Sequence, residues 1–340
     1  MISVLVTGAG GGVGQGIIKS LKMIDDLDVK IIAADMSELA TGLYWADHAC
    51  LVERCTSQTY IESLQRIFDR YSVDFYIPGT DVELLFCAEN KERIRNEFGV
   101  ETVISSPRTI EIADDKLKTA SFLQNEKFAY PKTFRLSDYV TGELDFPVIV
   151  KPAVGCRSIG VYKVDSEQAI QPHLENPEGL VIQEYVGIDD REYTCTVVKV
   201  ENELSPVLVL QRTLRSGDTY RANPIKSELI ENYVQQVAAK LNIDGGCNFQ
   251  LRLDDSGNPK IFEINSRFSG TTPFCSQLGF NPVEFYLKKK LGQTPNVDID
   301  YDAYVLRHWS EVVVSNSQLS ELAENNNIAP KLSRQFRLFD

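Results

Sequence analysis

Strand and helix alternate through the first hundred residues, and this alternation restricts the fold more than any other feature of the chain. "ISVLVTG", "VKIIAAD", "VDFYIPG" and "ETVISS" are short apolar runs, separated by helical patterns such as "GQGIIKSLKMI", "TYIESLQRIFDRY" and "VELLFCAENKERIRNEF". Parallel strands need long crossover connections, so this order predicts a parallel sheet covered by helices. The first strand turns through Gly8 to Gly16, "GAGGGVGQG", where glycines permit a tight turn and close approach of an anion to a helix N-terminus. Asp35 ends the second strand, where a dinucleotide-binding domain places its ribose acid. The run admits more than one glycine register, so it leaves an NAD(P)-dependent oxidoreductase open without requiring one.

At 340 residues the chain is long enough for two or three domains. Its net charge of −13 argues against sequence-independent binding to nucleic acid or to an anionic membrane, both of which need basic patches. The one obvious basic run, Lys288–Lys290, reads as a solvated helix end. The seven cysteines form no CxxC pair and no secretory signal is evident, which points to free thiols in a reducing cytoplasm. Three scattered histidines make no metal site, and no apolar run reaches transmembrane length.

Beyond Ser105 the pattern changes to two short helices, then "FPVIVKP" ending near Lys151, then the antiparallel-looking runs "GLVIQEYV", "REYTCTVVKV" and "SPVLVLQRTLR". After the helix "SELIENYVQQVAAKL" come two strands around the turn formers Asp254 to Pro259. The last forty-odd residues read as a strand, "YVLRHWSEVVV", a short helix and a closing "RQFRLF". In the hairpin, Phe262 and Ile264 are expected on one face and Ile261, Glu263, Asn265 and Arg267 on the other. A pivot between Ser256 and Gly257 sets Gln250 opposite Glu263, and a slip of one residue would part them. Gln250, Glu263 and Asn265 would then converge as oxygen ligands of the kind Mg²⁺ prefers. The hairpin alone is equally compatible with a wet sheet face.

Four pieces in order, "DDK" with Lys116, "VIVKPAVGCRSIGV", "VIQEYV" followed by "REYT", and "NFQ" followed by "FEINSR", resemble the ATP-grasp superfamily. The branch most similar is the carbamoyl phosphate synthetase large-subunit-like group, and the resemblance covers almost the whole chain. It implies an α/β chain with an α+β lid: an ATP-grasp fold behind an N-terminal Rossmann-like pre-ATP-grasp domain. The boundaries expected are 1–105 for that domain, 106–145 for a helical linker, 146–212 for the lid, 213–295 for the central subdomain with the metal site, and 296–340 for a C-terminal extension on the core.

The same resemblance implies the site. Lys116 and Lys151 would reach the α- and β-phosphates. Gly155, Ser158 and Gly160 would form the phosphate-covering loop, since small residues let N–H donors approach. Glu184, Tyr185 and Val186 would read the adenine, and Glu192 the ribose, although eight positions from Glu184 to Glu192 is one more than some members use. Gln250, Glu263 and Asn265 would hold Mg²⁺ or Mn²⁺. Arg267, with Arg212 and Arg215, would neutralise the γ-phosphate or an acyl phosphate. Structural readings stand beside these: a helix lysine at 116, exposed strand acids at 184 and 192.

The activity implied is a carboxylate–amine ligase that uses ATP to make an acyl phosphate and then forms a C–N bond. Its partners would be small-molecule substrates, with a homodimer the assembly common among members. The Gly8–Gly16 loop is expected near the donor carboxylate. The small, polar "SGTTPFCSQLGFN" suits an amino-acid-like substrate. The alternatives are an ATP-binding regulator without ligase chemistry, the oxidoreductase above, and carbamoyl phosphate synthesis itself. The last is disfavoured because the chain holds one grasp copy and no glutaminase segment.

Overall fold

The computed structural model describes residues 1–155, 159–187 and 191–332, and the backbone of 334 and 335. The first unit alternates β1 (Ile2–Val6), α1 (Gly12–Lys22), β2 (Val29–Asp35), β3 (His48–Leu51), α2 (Tyr60–Tyr71), β4 (Phe75–Ile77), α3 (Leu84–Phe98) and β5 (Glu101–Thr102). Two helices follow, α4 (Pro107–Asp114) and α5 (Lys116–Asn125), then the strands β6 (Thr133–Arg135), β7 (Val148–Pro152) and β8 (Tyr162–Val164). Next come α6 (Glu167–Leu174), β9 (Leu180–Glu184), β10 (Glu192–Val200), β11 (Glu203–Leu204), β12 (Leu208–Arg215), β13 (Asp218–Pro224), α7 (Glu228–Leu241), β14 (Gly245–Leu253) and β15 (Pro259–Asn265). The remainder holds α8 (Thr272–Gln277), α9 (Pro282–Lys290), β16 (Val305–Leu306), β17 (Val312–Val313), α10 (Asn316–Asn325), β18 (Asn327–Ile328) and β19 (Arg334–Gln335).

Three main sheets result. The first runs β18-β3-β2-β1-β4-β5, parallel except for β18, and so bears out the alternation in the sequence. Its strands are buried on both faces, which is why they read as continuous apolar runs. The second is antiparallel, β6-β9-β7-β8, and the third runs β15-β14-β10-β12-β13-β16 with β11 beside β10. The sheets therefore partition the middle of the chain differently from the expected boundaries. β6 joins the small lid sheet from before residue 146, and β10 and β12 belong to the central sheet. Pairing of antiparallel strands is non-local, so composition did not reveal which sheet each run would enter.

Capping fixes the helices near the site. Asp115 caps α5 by accepting from the Leu117 and Lys118 amides (2.8 and 3.3 Å), which places Lys116 in its first turn. The Lys116 amide donates to the Ala153 carbonyl at 2.9 Å, tying this helix start to the segment after β7. At the other end of the chain the single strand expected over "YVLRHWSEVVV" is two separate pairs, β16 and β17. The first adds to β13 and the second pairs with β19. Lys288–Lys290 is also corrected: it is not a solvated helix end. Lys288 is buried between Asp26 and Glu284, Lys289 pairs with Glu203 and Lys290 with Glu101. The last turn of α9 thus lies between other elements, and cations there also suit the helix C-terminus.

Candidate active site

The hairpin β14–β15 puts Gln250 opposite Glu263, as the sequence suggested, by a different route. Nearest the turn, Leu253 faces Pro259 and Arg252 faces Lys260, so the turn centres on Ser256. That register alone would set Gln250 against Phe262. A bulge between Gln250 and Leu251 on one strand, with Phe262 as the extra residue on the other, restores the pair. The bulge also corrects the expected faces. Ile261 and Ile264 enter the core with Phe249 and Leu251, while Phe262 turns with Glu263 towards a cavity of about 240 Å³.

Around Glu263 the three side chains meet, with both amide nitrogens turned to the carboxylate and both amide oxygens turned to arginines. Glu263 Oε1 accepts from Asn265 Nδ2 at 3.2 Å and lies 3.5 Å from Gln250 Nε2. Arg212 Nη2 donates to Gln250 Oε1 (2.7 Å), and Arg267 Nη2 donates to Asn265 Oδ1 (3.1 Å). One carboxylate and two amides are hard oxygen donors that fit a divalent cation arriving with phosphate. No group of three or more His, Cys, Asp or Glu that could hold a metal ion occurs among the described residues, so most of the neutralising charge would come from the phosphates.

Lys151 and Lys116 line the same cavity. Both are buried, at 4% and 6% exposure. Lys151 Nζ donates to Gln183 Oε1 at 2.7 Å and lies 3.5 Å from the Phe262 carbonyl; Lys116 Nζ donates to the Gly155 carbonyl at 2.9 Å. Neither has a carboxylate within 4.0 Å among the described residues. Burial drives the Lys151 pKa down to about 7, and Lys116 pushes the same way while Glu263 opposes it. Buried cations without counterions are expensive unless an anion arrives.

The loop after β7 has Gly155 on the cavity wall and Gly160 at φ +72, a conformation that favours glycine. Ser158 lies outside the described residues. Glu184, Tyr185 and Val186 form the cavity's far wall. The Val186 backbone makes no hydrogen bond among the described residues, which leaves an amide and a carbonyl for an adenine edge. The Glu184 carboxylate is held by the Lys132 amide (2.9 Å) and by Lys260 Nζ (2.7 Å).

Glu192 is more tightly engaged than the sequence implied. β10 sets it level with Arg212 on one side and Arg252 on the other. Arg212 donates to Oε1 through Nε and Nη2 (3.0 and 2.6 Å), and Arg252 Nη2 donates to Oε2 at 2.9 Å. Burial works to raise the Glu192 pKa, yet the two arginines outweigh it and hold it below the usual carboxylate value. Replacing Glu192 with alanine removes the buried carboxylate that Arg212 and Arg252 share. We expect a loss of about 3–5 kcal/mol in urea unfolding.

The arginines divide. Arg212 lies against Gln250 beside Glu263. Arg215 does not: its side chain is exposed and stacks over Tyr220 and Trp309, 5.2 and 5.8 Å from the ring centres, because strand alternation keeps Arg212 and Leu214 on the cavity face and turns Arg215 to the other. Arg267 makes a bidentate pair with Asp81, Nε to Oδ1 at 2.6 Å and Nη2 to Oδ2 at 3.0 Å. Asp81 follows β4 and its "GTD" turn, which meets the first glycine loop: a Cβ on Gly8 would lie 2.3 Å from Thr80 Cγ2. The segment after β4 of the N-terminal sheet thus reaches Arg267 at the end of the hairpin. Asp81, Gln183, Arg252 and Lys260 were missed in the sequence. The repeated strand–glycine turn before Asp81 was its signal, and Arg252 lay on the same alternating face as Gln250.

Asp35 is committed elsewhere, accepting from the Gly10 amide (2.8 Å) and from the amides of Met36 and Ser37 (2.8 and 3.3 Å). Ala9 is fully buried and so does not face the cleft.

Residues 113–271 match the ATP-grasp domain family, and residues 4–103 match the PylC-like N-terminal domain. The ATP-grasp match takes in 159 of the 340 residues. Its curated relatives include a carbamoyl phosphate synthase large chain from Thermoplasma acidophilum, 24% identical over 253 residues, which are 66% of this chain and 24% of that one. The chain thus spans about a quarter of that relative. A formate-dependent phosphoribosylglycinamide formyltransferase from Prochlorococcus marinus is 23% identical over 296 residues, 80% of this chain and 73% of the relative. Among solved structures, N5-carboxyaminoimidazole synthetase from Staphylococcus aureus complexed with ADP superposes with a TM-score of 0.69 at 15% identity, covering 98% of this chain and 91% of that one. An L-amino acid ligase from Bacillus licheniformis gives 0.66 at 16%, covering 84% and 73%. These likenesses show the ATP-grasp fold. Among the described residues no helix is long and apolar enough to cross a membrane.

Proposed function

We propose that this chain is an ATP-dependent ligase that activates a small carboxylate as an acyl phosphate and joins it to an amine, releasing ADP and phosphate. The observation that carries this reading is the pair of buried lysines, Lys116 and Lys151, neither with a carboxylate within 4.0 Å among the described residues, set in one cavity with Gln250 and Glu263, beside which Asn265 lies. That arrangement lacks a polyanion and oxygen-bound positive charge, and nucleotide triphosphate supplies the first. The names of relatives and structural neighbours, ligases and synthetases among them, support the same class.

In the reaction a substrate carboxylate oxygen forms a bond to the γ-phosphorus as the β–γ bridging bond breaks, and ADP leaves. The amine nitrogen then bonds to the acyl carbon, the carbon–oxygen bond to phosphate breaks, and the amine gives up a proton. Such transfers ask for positioning and charge neutralisation more than covalent help. Lys116 and Lys151 hold the phosphate chain, with Gly155 on the same cavity wall. Tyr185 and Val186 orient the base, and Arg267 and Arg212 face the transferring end. Mg²⁺ or Mn²⁺, held by Glu263 with Gln250 and Asn265, would supply charge neutralisation on the phosphates. The Glu192 carboxylate, spent on two arginines, serves first to fix Arg212, and its ribose contact is secondary in this reading.

Cys50, Cys55, Cys87, Cys195, Cys247 and Cys275 are free thiols, which favours a reducing, cytoplasmic setting. The test is ADP release with Mg²⁺ over a panel of amino acids and amino sugars. We expect turnover that needs both a carboxylate and an amine and yields one ADP per amide formed. ADP release that no carboxylate stimulates would count against a ligase.

A further inference from the structure

The segment after the metal hairpin carries a second cationic feature that the nucleotide site does not use. α1 abuts this segment at Gly16, where an added Cβ would sit 3.1 Å from Pro273 Cδ and 3.6 Å from the Ser269 carbonyl. One helical turn further, Lys19 extends with its ammonium 5.0 Å from the centre of the Trp45 ring. From the opposite side Arg307, which follows β16, lies 4.9 Å over the Phe274 ring and donates through Nη2 to the Gly270 carbonyl. Helix α1, the 269–274 segment and the C-terminal strand therefore bring two cations to one place, each on an aromatic floor.

Neither cation has a carboxylate within 4.0 Å among the described residues. That is unexpected by chance in a chain with 48 acids against 35 basic residues. Lys19 is open to solvent and Arg307 half-buried, so a ligand reaches both. Partial desolvation lowers both pKa values; Arg307 lowers that of Lys19 further, and Asp218 is the acid that works against the drop at Arg307. Like charges gathered with no acid in direct contact cost free energy that a bound anion returns.

We propose that Lys19 and Arg307 anchor an anionic group, carboxylate or phosphate, on the substrate whose reacting end lies at Arg267. The inference rests on the ligase reading for the identity of that substrate. Gly270 is three residues beyond Arg267, so their Cα atoms are separated by at most about 11 Å. The substrate spans that order of distance, which suits an amino acid with an extended acidic side chain or a phosphorylated amine. Between the two ends Ser269 and Thr271 pair through their hydroxyls at 2.6 Å, giving a small, polar wall.

Trp45 provides the readout. In a Trp309→Phe background, Trp45 emission is titrated with inorganic phosphate and, separately, with succinate, at constant ionic strength and with Mg·ADP present. We expect saturation with at least one probe: phosphate alone identifies a phosphoryl ligand, and succinate alone a carboxylate. Lys19→Met and Arg307→Met each weaken that binding by about tenfold or more, and Arg307→Lys recovers most of it. ADP affinity, measured by calorimetry, is unchanged in all three and shows that they are folded. Lack of saturation with either probe, or the same curves in the Met variants, overturns the anchor. Loss of ADP binding by the parent protein would instead overturn the ligase reading, leaving the anion titration to be judged by itself.

Discussion

Lys151→Met should cut kcat/KM for ADP release by about 10²–10³-fold and at the same time make the folded protein more stable at neutral pH. The rate loss follows from removing a preorganised cation aimed at phosphate in a dry site. The stability gain follows because the wild-type ammonium is buried, accepted only by the Gln183 amide and approached by a backbone carbonyl, with a pKa driven down to about 7. The sign of the pH dependence is fixed by that shift. Below about pH 7 the lysine is protonated in both states. Between about 7 and its ordinary value of 10.5 the unfolded chain keeps a proton that the folded one has released, so unfolding free energy rises with pH, by at most about 1.4 kcal/mol per unit. Urea midpoints at pH 6.5, 8 and 9.5 should show that rise in the wild type and lack this contribution in the variant. Nucleotide binding at pH 8 should draw a proton in, seen as a dependence of calorimetric heat on buffer ionisation enthalpy. A wild type whose heat ignores the buffer would contradict the assignment.

Glu263→Gln should abolish turnover, by about 10³-fold or more, while leaving the fold intact. The side chain is isosteric and its neighbours Asn265 and Gln250 are amides able to re-pair with it. What disappears is the single carboxylate among the three side chains proposed to hold the metal. The nearby Arg212 and Arg267 would remain, so ADP should still bind in the absence of metal, whereas the Mg²⁺-dependent gain in affinity should be lost. Calorimetry with ADP, with and without Mg²⁺, separates the two. A variant that retains the Mg²⁺ gain would place the metal elsewhere.

The strand–helix order was legible because it is a local pattern, whereas the two lysines and the acid-x-asparagine pair were singled out by the family resemblance. The Gln250–Glu263 pairing was legible only in outcome. Turn residues located the bend, but the extra residue at Phe262 that corrects the register leaves no mark in an apolar run. What escaped altogether was partnership across elements. Nothing in "REYT" says that Glu192 will be flanked by Arg212 and Arg252, since that depends on which strands neighbour β10. The exposed stack of Arg215 and the salt bridges of Lys288–Lys290 were hidden for the same reason. Cations in a sequence announce charge, and only the packed chain decides what answers it.

The edge strand β3 has a consequence for the order of assembly. Its outer side is completed by β18, where Asn327 and Ile328 pair with Cys50 and Ala49 across nearly the whole length of the chain. During synthesis the earliest-made sheet therefore leaves the ribosome with one open flank, and that flank stays able to recruit foreign strands until residue 328 has emerged. Ribosome-stalled chains ending before residue 320 should accordingly be more prone to clump than chains released a dozen residues later.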